Sequence, residues 1–272
     1  MADDYLMPKG ELMRGKRGIV TGVANHNSIA WGIASQLAAQ GAEIALAYMD
    51  MNEKRVRPLG ESIGVKVWTT FDVSSDQSMD AAFKTVEDAW GSIDFLVHAI
   101  AYADRDQIKG SFVENTTRAA FAQALDISVF SFVDASRRAA RLMPKGGSIL
   151  TLTYLGSERA IPNYNTMGVA KAALEAAMRY AARDLGPKGI RVNALSAGAM
   201  RTLSLAGISG GRSMLAQGRA LSALKEDTSM EGVAGCALWL LSDLGRSTTG
   251  EVVHVDAGFH MIGLPDEDGS AA

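Results

Sequence analysis

Short apolar runs alternate with longer amphipathic stretches along most of the chain. Continuous apolar runs bounded by glycine or polar turns read as buried strands, and apolar positions recurring with helical spacing read as amphipathic helices. On that basis strands are predicted over 16–22, 43–48, 65–71, 93–99, 147–153, 190–195 and 251–256. Helices are predicted over 28–40, 52–63, 76–90, 116–142, 163–186 and 229–242, the first of them closed by Gly41. The strands do not alternate polar with apolar, which is the pattern of a parallel sheet covered on both faces. Strand–helix alternation then implies a doubly wound α/β architecture with right-handed crossovers, whose ligands lie beyond the carboxyl ends of the strands. Residues 1–14 read as a loose arm, 15–263 as one dinucleotide-binding domain, and the acidic 264–272 as a flexible tail. A polar, glycine-rich excursion over 196–228 breaks the rhythm, and no repeat or linker divides the chain.

Composition narrows the class. With 47% hydrophobic and 21% charged residues among 272, the chain has enough apolar material for a large core. A net charge of −3 offers no electrostatic footprint for nucleic acid. The single cysteine, Cys236, lies in an apolar helical run and reads as a buried thiol. No apolar run approaches a membrane span, and the acidic start Met-Ala-Asp-Asp-Tyr lacks a signal core, so a cytoplasmic location is expected.

The candidate chemistry gathers at the predicted strand ends. Gly22, Ser28 and Gly32 follow the first strand in place of a compact three-glycine turn. Gly22 would let the backbone approach a pyrophosphate, with Ser28 and the Ile29 amide at a helix N-terminus, although a plain serine cap would look the same. Asp50, beside Met49, stands where a ribose 2′-hydroxyl is usually held, and a carboxylate there disfavours a 2′-phosphate. That favours NADH over NADPH. Asp72 and Val73 after the third strand would flank the adenine, or Asp72 would cap the next helix. Tyr164 and Lys171 are seven residues apart, two turns, so on one helix they share a side. Tyr154 ends the preceding strand. Alone, the two phenols could be packing aromatics and Lys171 a surface charge.

The segments Gly22-Val-Ala-Asn, Ser28-Ile-Ala-Trp-Gly-Ile-Ala, Ser148-Ile-Leu-Thr-Leu-Thr-Tyr-Leu-Gly156, Pro162-Asn-Tyr-Asn-Thr-Met-Gly-Val-Ala-Lys171, Arg191-Val-Asn-Ala-Leu-Ser-Ala-Gly198 and Gly250-Glu-Val-Val-His-Val-Asp256 carry a resemblance. Together they resemble the bacterial enoyl-acyl-carrier-protein reductases, a divergent branch of the short-chain dehydrogenase/reductase superfamily, over about Gly15 to Gly263. Ordinary members of the superfamily place tyrosine four residues before the lysine; Met167 stands there, and the phenol is one turn earlier at Tyr164. The resemblance implies a single-domain Rossmann-type sheet with a helical substrate-binding lid over about 199–226. It implies NADH-dependent reduction of enoyl thioesters in type II fatty acid synthesis, an acyl-carrier protein as partner, and a homotetramer. Tyr164 would stabilise the enolate oxygen, Lys171 would hold the nicotinamide ribose, and Tyr154 would close over the acyl chain. Ile100, Met200, Arg201, Thr202, Leu203 and Ser204 would contact cofactor, and Ala101, Tyr102 and Ala103 would line the substrate pocket.

The chain departs from that pattern at its portal. Ala101 and Ala199 stand where the family has glycine and proline, and Ser209-Gly-Gly-Arg-Ser213 replaces a basic aromatic cluster. The cations left to meet an acidic carrier are Arg201, Arg212, Arg219 and Lys225. A paralogous reductase for another enoyl thioester, or a nucleotide-binding sensor of little turnover, therefore stays open beside the main reading. His98, His254 and His260 read as structural, with no metal-ligand spacing.

Overall fold

The computed structural model describes residues 7–264, apart from Ser209 and the side chains of Ser204 and Arg212. Residues 1–6 of the arm and 265–272 of the tail lie outside the described residues. The chain runs β1 (Arg17–Thr21), α1 (Ile29–Ala39), β2 (Glu43–Tyr48), α2 (Glu53–Ser62), β3 (Val67–Thr70), α3 (Asp76–Trp90) and β4 (Phe95–His98). It continues through α4 (Arg105–Ile108), α5 (Phe112–Asn115), α6 (Arg118–Leu125), α7 (Ser131–Arg141), β5 (Gly147–Thr153), α8 (Asn165–Leu185) and β6 (Ile190–Ala197). Then come α9 (Leu203–Ala206), α10 (Gly211–Leu221), α11 (Met230–Leu241) and β7 (Val252–Val255). All pairings in the seven-stranded sheet are parallel, in the order β3-β2-β1-β4-β5-β6-β7. Strand order reverses between β1 and β4, which opens a crevice at their carboxyl ends.

Successive strand residues point to opposite faces, and both faces are apolar. Val20, Leu46, Val97, Leu150 and Leu195 pack with Ile33 and Leu37 of α1 and Val233 and Leu240 of α11. Their neighbours Ile19, Ala45, Leu96, Ile149 and Ala194 pack with Met79 of α3, Phe132 of α7 and Leu174 and Met178 of α8. Gly32 lets α1 meet α11 closely, since a Cβ there would lie 2.2 Å from Met230 Sδ. Its place in the Gly-Ser-Gly pattern is thus explained by helix packing.

Three expectations are corrected. The arm is not loose from Pro8 onward: its carbonyl accepts from Gln36 Nε2 at 3.1 Å and Gln40 Nε2 at 2.7 Å, and Met13 is wholly buried. The helix expected over 116–142 starts at Arg118, follows two one-turn helices, and widens into a π turn at Asp126–Phe130 between α6 and α7. The helix expected from 163 starts at Asn165, so Tyr164 precedes it and does not lie on its face.

Candidate active site

A cleft of about 650 Å³ opens where β1, β4, β5 and β6 end. Gly22 leaves β1 with φ +83°, and a Cβ there would fall 2.0 Å from the Ala99 carbonyl oxygen, so only glycine fits. The Ser28 hydroxyl accepts from the Ala24 and Asn25 amides at 3.0 and 3.1 Å and makes no cap to α1. Serine therefore ties up the turn that leads to the helix. Among the described residues the Ile29 and Ala30 amides find no acceptor, which leaves the positive end of α1 with two donors in the cleft wall. A diphosphate fits this cradle on clearance and on donor chemistry.

Tyr154 follows the last residue of β5, and its ring meets Tyr164 edge-on, with centroids 5.0 Å apart and planes at 70°. Tyr164 is held by unusual backbone on both sides. Asn163 and Asn165 have φ of +60° and +37°, which asparagine tolerates better than most residues. Asn163 Oδ1 accepts from the Gly110 amide and Asn165 Nδ2 donates to the Gly110 carbonyl, both at 3.1 Å. One residue between α4 and α5, Gly110, is thereby bracketed by the neighbours of the phenol.

Lys171 is buried on the first two turns of α8, and its Nζ donates to the Leu152 carbonyl at 2.7 Å. Burial lowers its pKa to about 8, against an upward pull from Glu175. Burial raises Tyr164 well above the usual phenol range, with smaller upward contributions from Tyr154 and Glu175. Tyr154 is raised too, by burial and then by Asp256. Both phenols thus hold their protons at neutral pH, beside an ammonium group.

The cleft brings together Gly22, Ser28, Ile29, Ile100, Ala101, Tyr102, Ala103, Tyr154, Tyr164, Lys171, Met200, Thr202 and Leu203 from the sequence reading. It does not include Met49, Asp50, Asp72, Val73 or Arg201 in its wall. Met49 and Asp50 are exposed just past β2, next to the β1 exit. Asp72 neither caps α3, which Ser75 does, nor faces the cleft: its Oδ1 accepts from the Ser74 amide and hydroxyl in a local turn. Arg201 is exposed, Arg219 is paired with Asp227, and the side chains of Ser204 and Arg212 lie outside the described residues.

The sequence reading missed several wall residues: Ile108, Leu205 and Ile208 add apolar surface to the cleft. It also missed Glu175, which is buried one turn past Lys171 although nothing in a single glutamate marks it as buried. The π turn and the first residue of α7 carry two further groups. Ser128 Oγ accepts from the Tyr102 amide and donates to its carbonyl, fixing the pocket wall. Ser131 Oγ donates to the Ile127 carbonyl at 2.6 Å, so at 2.9 Å it accepts from His98 Nε2, while Thr151 Oγ1 faces Nδ1. His98 is thus a fully bonded structural histidine, and burial with the Lys171 charge lowers its pKa to about 3. Cys236 has its thiol pushed up to about 11 by burial and is unsuited to nucleophilic work. Among the described residues no cluster of histidine, cysteine or acids could hold a metal, and no helix is long and apolar enough to cross a membrane.

The family profile described as "Enoyl-(Acyl carrier protein) reductase" matches residues 22–260. The chain is 52% identical over 258 residues to "Enoyl-[acyl-carrier-protein] reductase [NADH] 1" of Rhizobium meliloti, covering 94% of each. It superposes with a TM-score of 0.92 at 50% identity on the Anaplasma phagocytophilum enoyl-acyl-carrier-protein reductase in complex with NAD, covering 96% of this chain and 99% of that one. The Bacillus cereus enoyl-acyl-carrier-protein reductase with NADP⁺ and an indole naphthyridinone gives 0.91 at 46% identity, covering 93% and 100%.

Proposed function

The chain belongs to the enoyl-(acyl carrier protein) reductase family, and from that premise we propose that it reduces the carbon–carbon double bond of trans-2-enoyl thioesters on acyl-carrier protein, with NADH, in fatty acid synthesis. The observation that carries this reading is the meeting of two protonated phenols and a buried ammonium group in one apolar cleft beside the glycine turn. NADH, when bound, would supply the hydride for the β-carbon of the substrate. Gly22 and the amides of Ile29 and Ala30 would hold its diphosphate, Lys171 its nicotinamide ribose, and Ile100, Met200, Thr202 and Leu203 would line its path. Asp50 disfavours a 2′-phosphate by its charge.

Negative charge develops on the thioester oxygen as the double bond is reduced. Tyr164 donates to that oxygen, and a donor that strengthens in the transition state raises kcat. Met167 stands where an alcohol dehydrogenase needs its phenol, which disfavours ketone chemistry. Tyr154 closes over the acyl chain, and Ala101, Tyr102 and Ala103 with Ile108 shut water out of the far wall. We assign residues 199–226, with α9 and α10, as the lid whose exposed cations meet the carrier. Apolar residues exposed on α7 and α8, among them Val133, Val169 and Tyr180, support a homotetramer.

Oxidation of NADH followed at its absorbance band with a crotonyl thioester tests the reaction, and NADPH in its place tests Asp50. Turnover with NADH preferred is expected. Cofactor binding without turnover would favour a nucleotide-binding sensor, and preference for NADPH would remove the role given to Asp50.

A further inference from the structure

One buried charge has no part in the reaction as described. Glu175 lies one turn beyond Lys171 on α8 and is only 6% exposed. Thr153 Oγ1 donates to its Oε1 at 2.6 Å. The residue before Thr153 is Leu152, whose carbonyl takes the Lys171 ammonium. Two consecutive residues at the end of β5 therefore grip two consecutive turns of α8, one by its base and one by its acid. A carboxylate this deep, given one neutral hydroxyl, is tolerated only where a cation shares its surroundings.

The other ionisable groups around Lys171 are accounted for. His98 on β4 is neutral and bonded to Ser131 and Thr151. Tyr154 and Tyr164 hold their protons. Asp256, beyond β7, is engaged by His260, and Asp134 on α7 by Arg137 and Arg138. Glu175 is the anion that acts on both Lys171 and Tyr164, upward in each case.

We propose that Glu175 is a positioning residue for the reduction, fixed by Thr153 beneath the cleft so that its charge keeps Lys171 an ammonium. The proposal rests on the reading that Lys171 holds the cofactor ribose. Without the acid, burial alone would set the protonation of the lysine, and its proton would be lost at lower pH.

The test compares the full-length protein with its Glu175→Gln variant, which keeps an oxygen for Thr153 and loses only the charge. NADH affinity is measured by nucleotide fluorescence across pH 6.5 to 9.5, with kcat/KM for crotonyl thioester in parallel. Wild type is expected to lose NADH affinity as pH rises through about 8. In Glu175→Gln that limb should move down by on the order of one pH unit, with near-normal affinity at pH 6.5. A limb that stays in place, with or without a uniform loss of activity, overturns the proposal. A wild-type protein without the limb overturns the Lys171 reading and takes the proposal with it. Should the amide variant fail to fold, Glu175→Asp against Glu175→Asn makes the same charge comparison one carbon shorter, with the aspartate expected to restore the limb.

Discussion

Removing one oxygen from Tyr164 gives a sharp test of the mechanism. Its ring packs edge-on against Tyr154, a contact phenylalanine keeps, so Tyr164→Phe isolates the hydroxyl. Among the described residues that hydroxyl has no hydrogen-bond partner, and it faces the cleft. Its hydrogen bond is therefore made only to ligand. Losing a donor aimed at developing negative charge typically costs ~10²–10³ in kcat, or about 2.7–4 kcal/mol of barrier. Stability should hold, because a hydroxyl that faces the cleft without a protein partner gives up no intramolecular hydrogen bond when removed. The assay is NADH oxidation with saturating crotonyl thioester, beside NADH affinity and a thermal melt. Expected are a loss of ~10²–10³ in kcat, unchanged NADH affinity and an unchanged Tm. Retention of activity within roughly threefold, against the ~10²–10³ expected, would mean that Tyr154 or water is the donor. A Tm fall of more than about 4 °C, equivalent to about 1 kcal/mol or more, would mean the hydroxyl is structural.

Three other outcomes are expected. Gly22→Ala combines a positive φ with a Cβ 2.0 Å from the Ala99 oxygen, and should cost roughly 2–5 kcal/mol of stability in denaturant unfolding and impair NADH binding. His98 has its folded pKa at about 3 against 6.5 unfolded. The unfolded chain therefore takes up the proton that the folded one refuses, and the stability is present above pH 6.5 and lost as pH falls toward 3. Denaturant midpoints between pH 6.5 and 5 should fall with a contribution approaching about 1.4 kcal/mol per pH unit, and His98→Gln should flatten that slope. Gly218 sits inside α10 with open space where a Cβ would go. Gly218→Ala should therefore stabilise that helix by about 1 kcal/mol, read as slower amide exchange over 211–221.

The sheet and its covering helices were legible because their signals are redundant. The apolar runs 43–48 and 147–153 and the capped, periodic 76–90 coincide with β2, β5 and α3 residue for residue. The stretch from Ala101 to Thr117 was not legible. Its one-turn helices are set by local caps at Asp104 and Ser111, too short to show a period, and a π turn leaves no mark in hydrophobic spacing. Tyr164 and Lys171 do meet in one cleft, but not by the shared helix face expected of them, since two left-handed asparagines place the phenol before the helix begins. Asp72 does not cap α3 because a carboxylate near a strand end can close its own turn, as it does with Ser74. Glu175 was passed over because burial is not visible in a single glutamate.

The bracket on Gly110 has a consequence for how such a cleft can diverge. The amide and the carbonyl of that residue both bond to the residues either side of Tyr164, so an insertion or shift between α4 and α5 would move the phenol without touching substrate. The opposite wall, α9 and α10, meets the cleft through the apolar side chains of Leu205 and Met214. New acyl preferences can be tried there while the chemistry stays in register. One wall is the ruler, and the other, α9 and α10, is the draft.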